Sequence, residues 1–191
     1  MGKKKYTEVL EPDKFYHVFN RGINGERIFS GKENYIYFLS LLQKHIVPIV
    51  KIYCYCLLPN HFHFLIQIKS ENEIQKVLTK PNTEISNFLS KQFSNFFNAY
   101  SQAYNKSQGR TGRLFEQPFR RKNIHTEEYL KKTILYIHQN PKKHSIESNL
   151  ANYPYSSYPS IISNQNTFIS KSNVINWFED LQNFIYCHEN Y

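Results

Sequence analysis

Apolar residues recur along this 191-residue chain with two periods, and the switches between them predict where strands give way to helices. Lys14 to Asn20 is aromatic and β-branched and reads as a first strand, closed by Arg21-Gly22. Ile49 to Leu58 and Phe62 to Ile68 read as second and third strands joined by a tight turn at Pro59-Asn60. Between the first two, Glu33 to His45 carries Ile36, Leu39, Leu41, Leu42 and His45 at helical spacing, and Pro48 stops it. After Ser70 the period stays helical, with a short piece ending at Pro81 and a long helix from about Glu84 to Asn105. Leu89, Phe93, Phe96, Phe97, Tyr100 and Tyr104 form its predicted core stripe. Arg113 to Ile124 reads as a loop running into a fourth strand. Thr126, followed by Glu127 and Glu128, is the N-cap signature of a helix that Pro141 ends.

The order β-α-β-β-α-β predicts an α+β fold, a ferredoxin-like or RRM-like antiparallel sheet with helices on one face, followed by a further helix. Residues 1–141 are expected to form the main domain. Residues 142–191 read as a polar tail whose last helix, near Ser172 to Cys187 and capped by Ser172, packs on that domain through Val174, Trp177, Phe178, Leu181 and Ile185. The aromatic run Tyr153 to Tyr158 admits two readings: Tyr153, Tyr155 and Tyr158 stack on unpaired bases, or they anchor the tail to the sheet.

Alternation on the third strand has a chemical consequence. Phe62, Phe64, Ile66 and Ile68 project from one face, while His61 and His63 project from the other, about one pleat apart. Two imidazoles at that spacing can bind one ion. In the helix after Thr126, Leu130, Ile134 and Ile137 form the buried stripe, and Tyr136 and Asn140 stack one turn apart on another face. Asn140 precedes Pro141 at a frayed end, so its amide is expected to face outward. A phenol beside a histidine pair suggests covalent phosphoryl transfer, because a metal that neutralises the phosphate relieves the weakness of a nucleophile with pKa about 10. His17 either supports the site or packs within its strand. His138, two residues from Tyr136, lies about 200° around the helix and off the active face. A competing Cys₂His₂ zinc site can be drawn from Cys54, Cys56, His61 and His63, since a two-residue turn pairs Cys56 with His63. The cysteines share an apolar face with Ile52 and Leu58, which argues against it.

Composition narrows the partner. No run of 18 apolar residues occurs, so no membrane span is expected. The N-terminal lysines are followed by no apolar stretch, and three cysteines form no framework; both fit a cytoplasmic protein. The formal charge of +9 is unevenly spread: six basic residues against Glu116 alone lie between Lys106 and Lys122, around Gly109 and Gly112. A polyanion fits that distribution.

Six segments, in order, carry a resemblance across almost the whole chain: Tyr16-His17-Val18-Phe19-Asn20-Arg21-Gly22, Leu58-Pro59-Asn60-His61-Phe62-His63, Gly112-Arg113-Leu114-Phe115-Glu116, Tyr129-Leu130, Tyr136-Ile137-His138-Gln139-Asn140-Pro141 and Tyr153-Pro154-Tyr155-Ser156-Ser157-Tyr158. The chain resembles the HUH single-strand transposases with one catalytic tyrosine, and within them the REP-associated tyrosine transposases. The resemblance implies that Tyr136 is a nucleophile attacking a DNA phosphate, leaving a 5′-phosphotyrosine link and a free 3′-hydroxyl. It implies His61, His63 and Asn140 as ligands of a divalent cation, Mg²⁺ or Mn²⁺, with two imidazoles suiting Mn²⁺ somewhat better by softness. Related insertion-sequence enzymes carry Gln at the third position, and Asn140 is one methylene shorter. The implied substrate is single-stranded DNA with hairpin structure, held by Arg21, Arg110, Arg113, Arg120, Arg121, Lys122, Lys142 and Lys143, with Arg27 nearby. Relatives act as monomers or as homodimers. The reading from another class is a non-catalytic module binding single-stranded nucleic acid, which leaves the set His61, His63, Tyr136 and Asn140 unexplained.

Overall fold

The computed structural model describes residues 6–78 and 83–191. The predicted break at Pro81 and the predicted character of the first five residues lie outside those. Four strands, β1 (Phe15–Arg21), β2 (Val50–Leu58), β3 (His61–Ile68) and β4 (Arg120–Ile124), form one antiparallel sheet in the order β2-β3-β1-β4. That is the α+β architecture the element order predicts. The Pro59-Asn60 turn sets the β2–β3 register, pairing Leu58 with His61 and Cys56 with His63.

Helices α1 (Lys32–His45) and α3 (Ile85–Ser107) cover the face bearing Phe62 and Phe64. Phe38 sits at the centre of this layer, its ring 5.2 Å from Phe62 and 4.8 Å from Phe96. Truncating so central an aromatic costs about 3–5 kcal/mol in comparable cores. The long helix buries the stripe expected of it, with Phe88 added and Phe97 half-buried. In α1 the expected stripe is shifted. Tyr35, Phe38, Leu41 and Leu42 are buried, while Ile36 is 55 % exposed. Phe38 fills the space between sheet and α3, while Tyr35 stacks on Phe29 and on Tyr155 of the tail, so helix rotation follows ring volume. A short helix, α2 (Glu71–Gln75), is capped by Ser70 and Glu73 in a reciprocal pair of bonds.

The opposite face carries α4 (Glu127–His138), whose N-cap Thr126 accepts a bond from the Tyr129 amide as expected. α4 ends at His138, just ahead of Pro141, as expected. After Gln139 a separate turn, α5 (Asn140–Lys143), begins with Pro141 in its first turn, where its missing N–H costs nothing.

The tail caps the edge of the sheet. Tyr153 Oη donates to the Leu57 carbonyl, the Leu57 amide donates to Tyr155, and Ser157 exchanges bonds with Tyr55. Edge strand β2 is thereby covered. Tyr155 stacks on Tyr35 with centroids 3.6 Å apart, and Tyr153 and Tyr158 are buried. The anchoring reading therefore holds for all three. After α6 (Tyr158–Ile162), the predicted last helix is two, α7 (Lys171–Trp177) and α8 (Leu181–Glu189). Asp180 divides them by capping the Asn183 amide, and Ser172 caps neither.

Candidate active site

Strand β3 delivers His61 and His63 to the face covered by α4, with their rings 5.2 Å apart. Register places Arg21 opposite His61, and Phe19 opposite both His63 and Arg120. Phe19, Asn20, Arg21, Asn60, His61, His63, Arg120 and His144 enclose a cleft of about 250 Å³.

The protonation of His61 follows from its neighbours. Asn60 donates from Nδ2 to the Gly25 carbonyl, which fixes its Oδ1 as an acceptor. His61 Nδ1 lies 2.7 Å from that oxygen, so it carries the proton and Nε2 is left as a lone pair. Asn60 is itself held by the Gly22 amide, which donates to its carbonyl. A side chain at Gly22 would collide with the Glu26 carbonyl, so only glycine lets this loop approach the turn.

His63 is buried, and its Nδ1 lies 2.9 Å from Nε2 of His17. Its Nε2 is buried with no hydrogen-bond partner among the described residues. When Nδ1 donates to His17, that orphaned nitrogen is a bare lone pair, the form a metal ion takes. Burial pushes His63 well below the ordinary histidine value, with His17 adding to it. Burial, then His144 and Arg21, lowers His61 to about 4, and burial, then Lys122, lowers His17 to about 3. All three are neutral at pH 7.

Tyr136 stands over this pair from α4, its ring 5.5 Å from His63 and 5.9 Å from His17. It is 36 % exposed. Desolvation, then Tyr191, raises its phenol above the usual value, and Lys143 Nζ lies 4.6 Å from its ring centroid.

Asn140 departs from expectation. Its side chain does not face outward; it is 1 % exposed, and its Nδ2 donates to the carbonyls of Tyr136 and Ile137. The short turn α5 follows the helix and buries the position. Both bonds use the amide nitrogen, so neither engages the oxygen, the atom a cation takes. His144 lines the cleft instead, 4.8 Å from the His61 ring. Sequence reasoning missed both His144 and Asn60. His144 lies just past α5, a turn that the sequence pattern does not predict, so nothing in the periodicity marked it. Asn60 had no signal beyond its place in the turn.

The zinc alternative fails. Cys56 pairs with His63 in register, but Cys54 and Cys56 are fully buried and burial raises both thiols far from ionisation. No group of three or more His, Cys, Asp or Glu among the described residues is arranged to hold an ion. A two-histidine set completed by an amide lies outside that exclusion.

The expected DNA-contacting residues divide. Arg21 and Arg120 line the cleft and flank Glu116, at 3.4 and 2.7 Å. Lys122 is on the same face, 4.6 Å from the Tyr129 ring centroid. Arg113 and Arg121 line a second cavity, on the α3 side of the sheet. Arg110 is bound to Glu26 and Asn105 instead. Lys142 and Lys143 are exposed on α5. No helix among the described residues is long and apolar enough to cross a membrane.

His138 lies away from the cleft, as its helical angle predicts. It is fully buried, with Nδ1 2.8 Å from His188 Nε2 and Nε2 2.8 Å from Ser157 Oγ. His188 Nδ1 donates to the Phe184 carbonyl, so one neutral arrangement satisfies the whole chain from α8 through α4 to the tail.

No family model matches the chain, and no curated protein matches it. Among solved structures, its fold is similar to that of a REP-associated tyrosine transposase bound to a REP hairpin, with a TM-score of 0.60 over 84 % of this chain and 86 % of that one. The identity is 12 %, so the likeness is one of fold alone.

Proposed function

We propose that this protein is a tyrosine transposase of the HUH type, which nicks single-stranded, hairpin-forming DNA and rejoins it. The observation that carries the reading is the orphaned, buried Nε2 of His63 beside His61, with the Tyr136 ring 5.5 Å away. A buried polar atom without a partner is costly, and a divalent cation would satisfy it. His61 and His63 would hold Mg²⁺ or Mn²⁺, with the Asn140 oxygen as third ligand. A bound cation would polarise the scissile phosphate and offset its developing charge. The similar fold of a transposase bound to a REP hairpin supports the substrate class.

The chain's own part is nucleophile and clamp. The Tyr136 oxygen bonds to phosphorus as the bond from phosphorus to the 3′ oxygen breaks. The phenolic proton passes to solvent, and the 3′ oxygen takes one up. The 5′ phosphate stays on Tyr136, so a later 3′-hydroxyl can displace it and join strands with no nucleoside triphosphate. Arg21 and Arg120 at the cleft hold neighbouring phosphates. Incubation with 3′-end-labelled hairpin DNA and Mn²⁺, followed by denaturing electrophoresis, tests this. A labelled protein band absent from Tyr136→Phe supports it; binding without any adduct supports the non-catalytic module.

A further inference from the structure

The Tyr136 hydroxyl has no hydrogen-bond partner among the described residues; its ring meets His63, His17 and the Lys143 ammonium. The last turn of α4 therefore sets where the nucleophile stands. Asn140 depends on the same turn, through its bonds to the Tyr136 and Ile137 carbonyls. The far side of that turn is held by polar contacts. His138 and Gln139 are buried there, and both reach His188 of α8, itself buried. His138 Nδ1 lies 2.8 Å from His188 Nε2, and Gln139 Nε2 donates to the His188 carbonyl. Because His188 Nδ1 donates to Phe184, its Nε2 is a lone pair and His138 Nδ1 is the donor. His138 Nε2 then accepts from Ser157 Oγ, 2.8 Å away. Ser157 carries the connection into the sheet. Its Oγ accepts the Tyr55 amide, and its own amide donates to the Tyr55 carbonyl. Tyr55 adjoins Cys56, the strand partner of His63. One buried chain thus joins the helix carrying Tyr136 to the strand paired with the histidines.

We propose that His138 is a positioning residue for Tyr136, and that its bond to His188 makes α8 part of the catalytic apparatus. Two imidazoles and a serine are a costly way to fill a core, since each buried polar atom must find its partner. A fully bonded network of this kind admits one arrangement of its elements, whereas an apolar seam tolerates small slides. A nucleophile misplaced by about 1 Å loses on the order of 10²-fold in rate. His138 touches no substrate; it acts by fixing the turn from which Tyr136 projects toward His63. The role rests on the nucleophile reading above.

The test uses the full chain with Tyr136 replaced by 3-fluorotyrosine, and reads its ¹⁹F resonance without DNA. The unsubstituted network is expected to give one narrow line. His188→Leu, which removes the acceptor for His138, is expected to split or broaden it. His188→Gln, whose amide oxygen can accept the same proton, is expected to restore it. Adduct formation is then timed in chains that keep Tyr136, with saturating 3′-end-labelled hairpin DNA and Mn²⁺. His188→Leu is expected to react about tenfold or more slowly at unchanged hairpin affinity, with His188→Gln recovering most of the rate. Gln139→Ala keeps both imidazoles, loses only the bond to the His188 carbonyl, and is expected to slow the reaction several-fold. Ile74→Ala, a core truncation in α2, controls for stability and is expected to leave line and rate unchanged. A narrow line and full rate in both His188→Leu and Gln139→Ala overturns the positioning role and leaves the proposed function standing. So does a rate that falls equally in Ile74→Ala. An adduct absent from every protein, wild type included, contradicts the proposed function and this role with it.

Discussion

The imidazole of His17 lies 2.9 Å, Nε2 to Nδ1, from that of His63, so strand β1 orients the histidine that β3 presents to the cleft. Groups bonded to the far side of a metal-binding imidazole typically contribute 10–100-fold to metal affinity. His17→Ala is therefore expected to weaken Mn²⁺ binding, measured by EPR titration, about tenfold or more. His17→Gln, which can accept the same proton, should recover part of that loss. Unchanged affinity in His17→Ala would show that the contact is packing only.

Acid should destabilise the fold. Burial lowers His188 from 6.5 to about 4 and also pushes His138 well below its ordinary value. Both pack among Tyr158, Phe184, Ser157 and one another, with no carboxylate among the described residues bonded to either ring. Between pH 6.5 and 4 the unfolded chain binds protons that the folded chain refuses, so stability drops as pH falls through that window. His188 alone accounts for about 3 kcal/mol across it. Urea melts at successive pH values should show this slope, reduced in His188→Gln; a flat profile would contradict it.

Ser157 joins the tail to both the sheet and α4. Its Oγ accepts the Tyr55 amide at 2.8 Å and meets His138 Nε2 at 2.8 Å. Ser157→Ala leaves two buried groups unpaired and is expected to cost about 2–4 kcal/mol by urea denaturation. A loss under 1 kcal/mol would mean the tail is held elsewhere.

Glu116 sits between Arg21 and Arg120 at the mouth of the cleft. Glu116→Gln should release both guanidiniums toward phosphate. Hairpin affinity at low salt is expected to rise several-fold, with a steeper salt dependence. A fall in affinity would show that Glu116 positions the arginines rather than competing with DNA.

Much of this arrangement is legible in the sequence because it is periodic. Alternation alone separates Phe62 and Phe64 from His61 and His63, and helical spacing puts Tyr136 and Asn140 on one face. What escapes is set by residues distant along the chain. The tautomer of His61 depends on Asn60, whose role is fixed by Gly25. The partner of His138 is His188, fifty residues on. The burial of Asn140 follows from α5, a short turn beyond the predicted helix end. The rotation of α1 answers to ring volume, which a hydrophobic pattern does not encode.

The most direct measurement is peptide mass mapping of the protein after incubation with hairpin DNA and Mn²⁺, followed by nuclease and protease digestion. The account predicts a 5′-phosphonucleotide on the peptide carrying Tyr136, absent from Tyr136→Phe and from His63→Ala. DNA cleaved with no adduct, or an adduct on another tyrosine such as Tyr191 or Tyr129, would contradict it.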